Sequence, residues 1–306
     1  MSYIASKLIG YLRLMRPANI VTAIADILAG VAISGYFINV SFATLTLDFT
    51  LPVVCLCLAT IGLYGGGVVF NDVFDATLDS TERPERPIPS GVISKTQAII
   101  LGSYLLLVGI LAAFSVGRLT GFPGWLAIGV AASALIYNKW GKHHHFLGPF
   151  NMGLCRGLNL LLGISIVPEA LQAYWWMGFI PILYIAAVTN ISRGEVHGGS
   201  VKSLRLTAIC YAVVYITMGF LAFLHYRIWT ALPFILLFAI MINVPLFKAM
   251  KNPSGPNIGK AVKGGIIALI AMNAAWIAAF ATLPFALIVL LFLPVSLILG
   301  KLFAVT

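Results

Sequence analysis

Asn71-Asp72-Val73-Phe74-Asp75-Ala76-Thr77-Leu78-Asp79 is where a long apolar run meets charge. Residues 51 to 70 hold no charged side chain, and then three aspartates stand at i, i+3 and i+7. A helix continuing through Asp79 puts all three carboxylates on one face, with Asn71 beside Asp75. Like charges on one face repel, and carboxylates near hydrocarbon carry a further cost. A divalent cation removes both costs. Hard carboxylate oxygens suit Mg²⁺, with substrate phosphates and water completing its shell. The plainer alternative is an acidic helix end in water, but this short segment holds three of the chain's nine acids. It reads as a metal–diphosphate site at a membrane face.

The surrounding composition requires a membrane. Of 306 residues, 60% are hydrophobic and 9% charged, a balance that excludes a soluble domain of this size. Apolar runs near the length needed to cross about 30 Å of hydrocarbon recur near 18–38, 50–71, 96–116, 121–138, 146–167, 174–190, 204–224, 229–247, 261–280 and 283–300. All read as helices, because open strands leave their backbone unsatisfied in lipid. The first run is too long, with the wrong flanks, for a cleaved signal peptide. Residues 1–16 read instead as an interfacial helix, with Ile4, Leu8, Tyr11, Leu12 and Met15 at helical spacing.

The net charge of +10 does not mark a nucleic-acid binder. With the N-terminus cytoplasmic, 16 of the 19 Lys and Arg residues fall in segments on that side; Arg118 and Arg227 lie outside and Arg156 within a span. This is the positive-inside asymmetry, and it puts the aspartates on the cytoplasmic face. The four cysteines lie inside apolar runs without metal-ligand spacing and read as packing residues.

Other polar residues stand out against the apolar background. Arg16 and Asn19 open the first span, where Arg16 is either a snorkelling anchor or a phosphate contact. Asp26 lies deeper, as a functional acid or a hydrogen-bond partner for a neighbouring helix. Gly62 and Gly66 form a G-x-x-x-G step that permits close helix approach. The proline-rich stretch 84–89 cannot be continuous helix and reads as a cap, with Arg83 and Arg86 free to meet phosphate. Lys142 offers an ammonium to a diphosphate leaving group; the neighbouring His143-His144-His145 run reads as polar loop. Arg156 and Asn159 lie one turn apart inside the fifth span, where the arginine needs either a diphosphate or an internal acid.

Several of these stretches resemble one known family. Asn71 to Asp79 has the form N-D-x-x-D-x-x-x-D and resembles the first aspartate-rich motif of the UbiA superfamily of intramembrane prenyltransferases. Arg16-Pro17-Ala18-Asn19 is similar to its R-P-x-N opening, and Arg83 to Gly91 to its R-P-I-x-S-G stretch. Tyr137 with Lys142, and Arg156-Gly157-Leu158-Asn159, resemble two further family patterns. The family's second aspartate motif is replaced here by Asn190 to Ser200, in which Glu195 is the only acid and Asn190 and His197 are neutral alternatives. That form resembles a divergent EboC-like branch linked to gene clusters for small secondary metabolites.

The resemblance implies one all-α membrane domain over 1–306, with nine to ten spans around a central cavity. Segments 72–95 and 191–203 would be cytoplasmic cap loops, and the two halves loosely repeated. It implies a prenyltransferase that moves a polyprenyl group from its diphosphate to a small polar acceptor with Mg²⁺. Asn71, Asp72, Asp75, Asp79 and Glu195 would hold metal, and Asp72, Asp75, Glu195 and Lys142 would act in catalysis. Arg16, Asn19, Arg83, Arg86, Tyr137, Lys139, Arg156, Asn159, Arg193 and His197 would bind substrate. Two competitors are a non-catalytic prenyl-lipid binder or export partner, and a transporter whose path is lined by Asp26 and Arg156.

Overall fold

A computed structural model describes residues 3–38, 46–116, 121–195 and 198–303. The chain is all helix, with no strand among the described residues. Helix α1 (Tyr3–Met15) meets α2 (Pro17–Ile33) at a bend of 45°. The break falls at Arg16, whose φ of 49° is left-handed, directly before a proline that starts α2. Leu14 is fully buried beneath α1 while Leu8 is 59% exposed, so the helix lies along the bundle with an apolar underside.

Helix α3 (Leu47–Glu82) has 36 residues. At 1.5 Å per residue it is about 54 Å long, well beyond the hydrocarbon thickness of about 30 Å. It is longer than one crossing needs, and its last turns carry Asp72, Asp75 and Asp79. The helix runs unbroken to Glu82, so the connection to α4 (Lys95–Val116) is only 83–94 and not the expected 72–95. The glycine step works as expected: a Cβ on Gly62 would overlap the Leu105 carbonyl of α4, and one on Gly66 would stand 2.9 Å from Gly102 O. Close packing on α4 fixes the helix that bears the aspartates.

Helices α5 (Phe122–Lys139) and α6 (Leu147–Ile164) follow, then α7 (Pro168–Tyr174) and α8 (Phe179–Ser192). Helices α9 (Val201–Leu224), α10 (Ile228–Lys251), α11 (Gly255–Phe280), α12 (Leu283–Leu290) and α13 (Phe292–Leu302) complete the bundle. The second expected cap loop, 191–203, narrows to 193–200. Buried α2, α6 and α11 form the middle of the bundle. The alanine-rich end of α11, from Ala268 to Ala281, lets its neighbours approach closely. Leu, Ile and Phe side chains of α4, α9 and α10 stay exposed around the outside, as a lipid-facing surface requires.

Among the described residues, seven helices are long and apolar enough to cross a membrane, or eight if α1 and α2 count as one bent span. Nine to ten was expected. The difference has a physical source in the runs near 121–138 and 146–167. Both form helices, but of 18 residues each, and α6 carries Asn151, Arg156 and Asn159, which lower its apolar character.

Candidate functional site

One end of the bundle gathers four connecting segments. Lys142, from the turn after α5, pairs with Asp75 on α3. Arg193, just after α8, donates to the His144 carbonyl at 2.8 Å. Gly199 N donates to Pro253 O at 3.1 Å, joining the segment after α8 to the one between α10 and α11. Arg83 stands close enough to Glu195 to act on its carboxyl. The segments expected to share one side of the membrane therefore meet at one face.

The continuous helix gives each aspartate a cation. Arg16 Nη2 donates to Asp72 Oδ1 at 2.7 Å, and Arg86 Nη1 reaches the same oxygen at 3.4 Å. Arg86 Nη1 also donates to Asp79 Oδ2 at 2.8 Å. With Lys142 on Asp75, all three carboxylates of the motif are neutralised by side chains from separate elements. Asp72 and Asp79 are each 4% exposed, and unpaired charge at that depth would be costly. Asn71 lies beside them. Its Nδ2 donates to Asn138 Oδ1 at 3.0 Å, and Asn138 Nδ2 in turn donates to Gly67 O at 2.7 Å. That orientation leaves Asn71 Oδ1 as an acceptor.

A metal fits this donor set by its chemistry, since every candidate ligand is a hard oxygen. No preformed cage exists: among the described residues no group of three or more His, Cys, Asp or Glu side chains could hold a metal by itself. Mg²⁺ commonly binds through one or two carboxylates plus substrate phosphate, which asks for no such cage.

The remaining candidates separate into those near the cluster and those away from it. Tyr137 lies within electrostatic reach of Asp75, Arg193 and Arg16. Asn19 is partly buried one turn beyond Arg16. Lys139 is exposed and lies 4.5 Å over the Trp140 ring. Glu195 is only partly covered in the segment after α8; the protein that does cover it pushes its carboxyl up and Arg83 pulls it down. Asn190 Nδ2 donates to Ser203 at 2.8 Å. His197 lies outside the described residues.

Arg156 has the internal acid. Its Nη1 donates to Asp26 Oδ2 at 2.7 Å and its Nη2 to Thr22 at 2.7 Å, while its guanidinium sits 4.8 Å over the Tyr64 ring. Asn159 donates to Ala23 O at 2.9 Å and accepts from Thr60 at 2.7 Å. Asn273 donates to Asp26 Oδ1 at 2.7 Å. This second polar network ties α2, α3, α6 and α11 together in the interior. Asn138, Thr60, Tyr64 and Asn273 escaped the sequence reading. Their one signal was a polar side chain inside an apolar run.

A polytopic helical membrane protein whose carboxylates and basic groups converge at one end of the bundle is the class these features define. The chain belongs to the UbiA prenyltransferase family, whose model matches residues 28–258. It is 41% identical over 185 residues to a digeranylgeranylglyceryl phosphate synthase of Methanothrix thermoacetophila, covering 60% of this chain and 61% of that one. It superposes on a UbiA homologue from Aeropyrum pernix K1 with a TM-score of 0.66 at 16% identity, covering 84% of this chain and 96% of that one. A UbiA homologue from Archaeoglobus fulgidus bound to GPP and Mg²⁺ gives 0.60 at 17% identity, covering 85% and 99%. These structural likenesses establish the fold. The chain spans about three fifths of the length of the curated relatives it matches.

Proposed function

We propose that this chain is a Mg²⁺-dependent prenyltransferase, moving a polyprenyl group from its diphosphate to a small polar acceptor at the cytoplasmic face. The observation that carries the reading is the meeting of three carboxylates with Arg16, Arg86 and Lys142 at one membrane face. Acids alone would hold a metal and repel diphosphate; bases alone would need no acids beside them. The names of the relatives and the GPP and Mg²⁺ of the Archaeoglobus homologue support the same reading.

Asn71, Asp72 and Asp75 would hold Mg²⁺, with Asp79 in support and Glu195 serving a second ion. Bound there, Mg²⁺ supplies charge neutralisation to the diphosphate as it leaves. Arg16, Arg86 and Lys142 exchange their carboxylate partners for phosphate oxygens, the arginines by paired N–H donors and the lysine as a point charge. Arg83, Arg193, Tyr137 and Asn19 line the approach, and segment 83–94 shields the reacting carbon from water. The prenyl carbon–oxygen bond breaks with its electron pair going to the diphosphate; the acceptor forms the new bond and releases a proton. Arg156 and Asn159 act as framework, through Asp26. The protein in lipid nanodiscs, given geranylgeranyl diphosphate and a polar metabolite extract, should release diphosphate and form a prenylated product with Mg²⁺. It should do neither in excess chelator. Product formation that continues in chelator would refute the metal-dependent reading.

One observation favours the non-catalytic lipid binder: Glu195 is the only acid of the second corner, and the Asn190 amide is engaged with Ser203. Glu195→Gln separates the two readings. Loss of turnover by about 10²-fold or more supports the enzyme; full cellular function in the variant supports the binder.

A further inference from the structure

No Asp or Glu follows Glu195, so the last helices carry lysines and arginines without an acid of their own. Four of these cations, Lys248, Lys251, Lys260 and Lys263, cluster where α10 turns into α11. The two helices touch just inside that turn. A Cβ on Gly264 would stand 3.2 Å from Pro245 Cγ and 3.4 Å from Met241 O. One turn nearer the end a cavity opens between them. Lys248 lies three residues past Pro245, and Lys260 four before Gly264, so both side chains face the gap.

The gap is a cavity of about 150 Å³ lined by Val244, Pro245, Lys248, Asn257 and Lys260. Asn257 Nδ2 is engaged with the Asn252 carbonyl at 2.9 Å, which holds that wall in place. Neither Lys248 nor Lys260 has an ion pair among the described residues. Two ammonium groups over one cavity repel each other, and an anion between them would offset that cost. Val244 and Phe247, 48% and 52% exposed, continue from the cavity onto the lipid-facing side of α10. A ligand with an anionic head and apolar chains matches both parts.

We propose that this cavity binds the phosphate of an anionic phospholipid, seated between Lys248 and Lys260 with its acyl chains along Val244 and Phe247. Basic pockets between spans at the membrane surface suit such headgroups, and a lysine ammonium is a good phosphate partner. The apolar apron selects a lipid over free phosphate. The site is independent of the aspartate cluster: it shares the face but none of the residues.

The test uses the full chain in detergent micelles, titrated with phosphatidylglycerol, phosphatidylcholine or inorganic phosphate while thermal stability and tryptophan fluorescence are followed. Phosphatidylglycerol should bind saturably and raise the melting temperature; the other two should not. Lys248→Gln or Lys260→Gln should weaken binding about fivefold, and both together about thirtyfold, as about 1 kcal/mol per lysine implies. Lys248→Arg should retain most of it. Lys251→Gln with Lys263→Gln, equally exposed neighbours of equal charge that do not line the cavity, should leave it unchanged. Equal loss in that control pair would reduce the effect to diffuse surface charge and overturn the site. Equal binding of inorganic phosphate or of phosphatidylcholine would overturn the lipid assignment.

Discussion

Arg156 and Asp26 form a 2.7 Å ion pair in the interior of the bundle, with side chains 7% and 2% exposed. Each carboxylate oxygen is used: Oδ2 by Arg156 and Asn159, Oδ1 by Asn273. In the proposed mechanism the pair serves as framework. Removing one partner leaves a buried charge alone, which costs about 3–5 kcal/mol. Arg156→Met should therefore lower thermal stability strongly, and Asp26→Leu with Arg156→Met should recover much of the loss. A single variant as stable as the parent would contradict this assignment.

The ion pairs over the aspartate motif make a different prediction. Arg86 is shared by Asp72 and Asp79, so Arg86→Gln frees both carboxylates of one cation. Affinity for Mg²⁺ alone should rise by about tenfold, while affinity for prenyl diphosphate should fall by a similar factor, since a charge-assisted bond contributes roughly 1.5–3 kcal/mol. Calorimetric titration with each ligand separately checks both arms. Affinities that fall together would show that Arg86 only holds the fold.

Much of this was legible in the sequence, and the limits are instructive. Helix continuity and the i, i+3, i+7 spacing placed three carboxylates together, and Gly62 and Gly66 foretold the close contact with α4. The cations that Arg16 and Lys142 bring to Asp72 and Asp75 were not legible, because Arg16 lies 56 positions from Asp72 and Lys142 lies 67 from Asp75. Nothing local in a chain records which loop closes over which helix. Nine to ten spans were expected where the described residues hold seven or eight helices long and apolar enough to cross, because the polar residues of α5 and α6 lower their apolar character. Asn138 was invisible because its partner, Asn71, is a neighbour only in space.

Glu195 provides a pH dependence with a definite sign. Its carboxyl is held above the ordinary value of 4.5 by burial, against the opposing pull of Arg83. An acid with a raised folded pKa holds its proton longer folded than unfolded. Its contribution is therefore present in full below the unfolded pKa and lost as pH rises through the folded one. Stability measured upward from pH 4.5 should show a small decline that Glu195→Gln removes and Arg83→Gln enlarges. An identical pH profile in all three proteins would contradict the environment assigned to Glu195.

The positive-inside asymmetry gives the shared face an expected side. In a cysteine-free background, cysteines placed at Ser80 and Ser254 should react only with a reagent on the cytoplasmic side. One at Gln172, near the far ends of α7 and α8, should react only from outside. Labelling of Ser80 from outside would reverse the orientation.

The central claim is that the aspartates of α3 hold a metal-bound prenyl diphosphate, and binding measures it most directly. Titration of the protein in nanodiscs with a non-hydrolysable prenyl diphosphate analogue, with and without Mg²⁺, should show tight binding only with the metal. Asp72→Asn and Asp75→Asn should each weaken that binding by about thirtyfold or more, the loss expected when one charged partner of a desolvated contact is removed. Binding by both variants as tight as the parent's, or binding indifferent to Mg²⁺, would contradict the account.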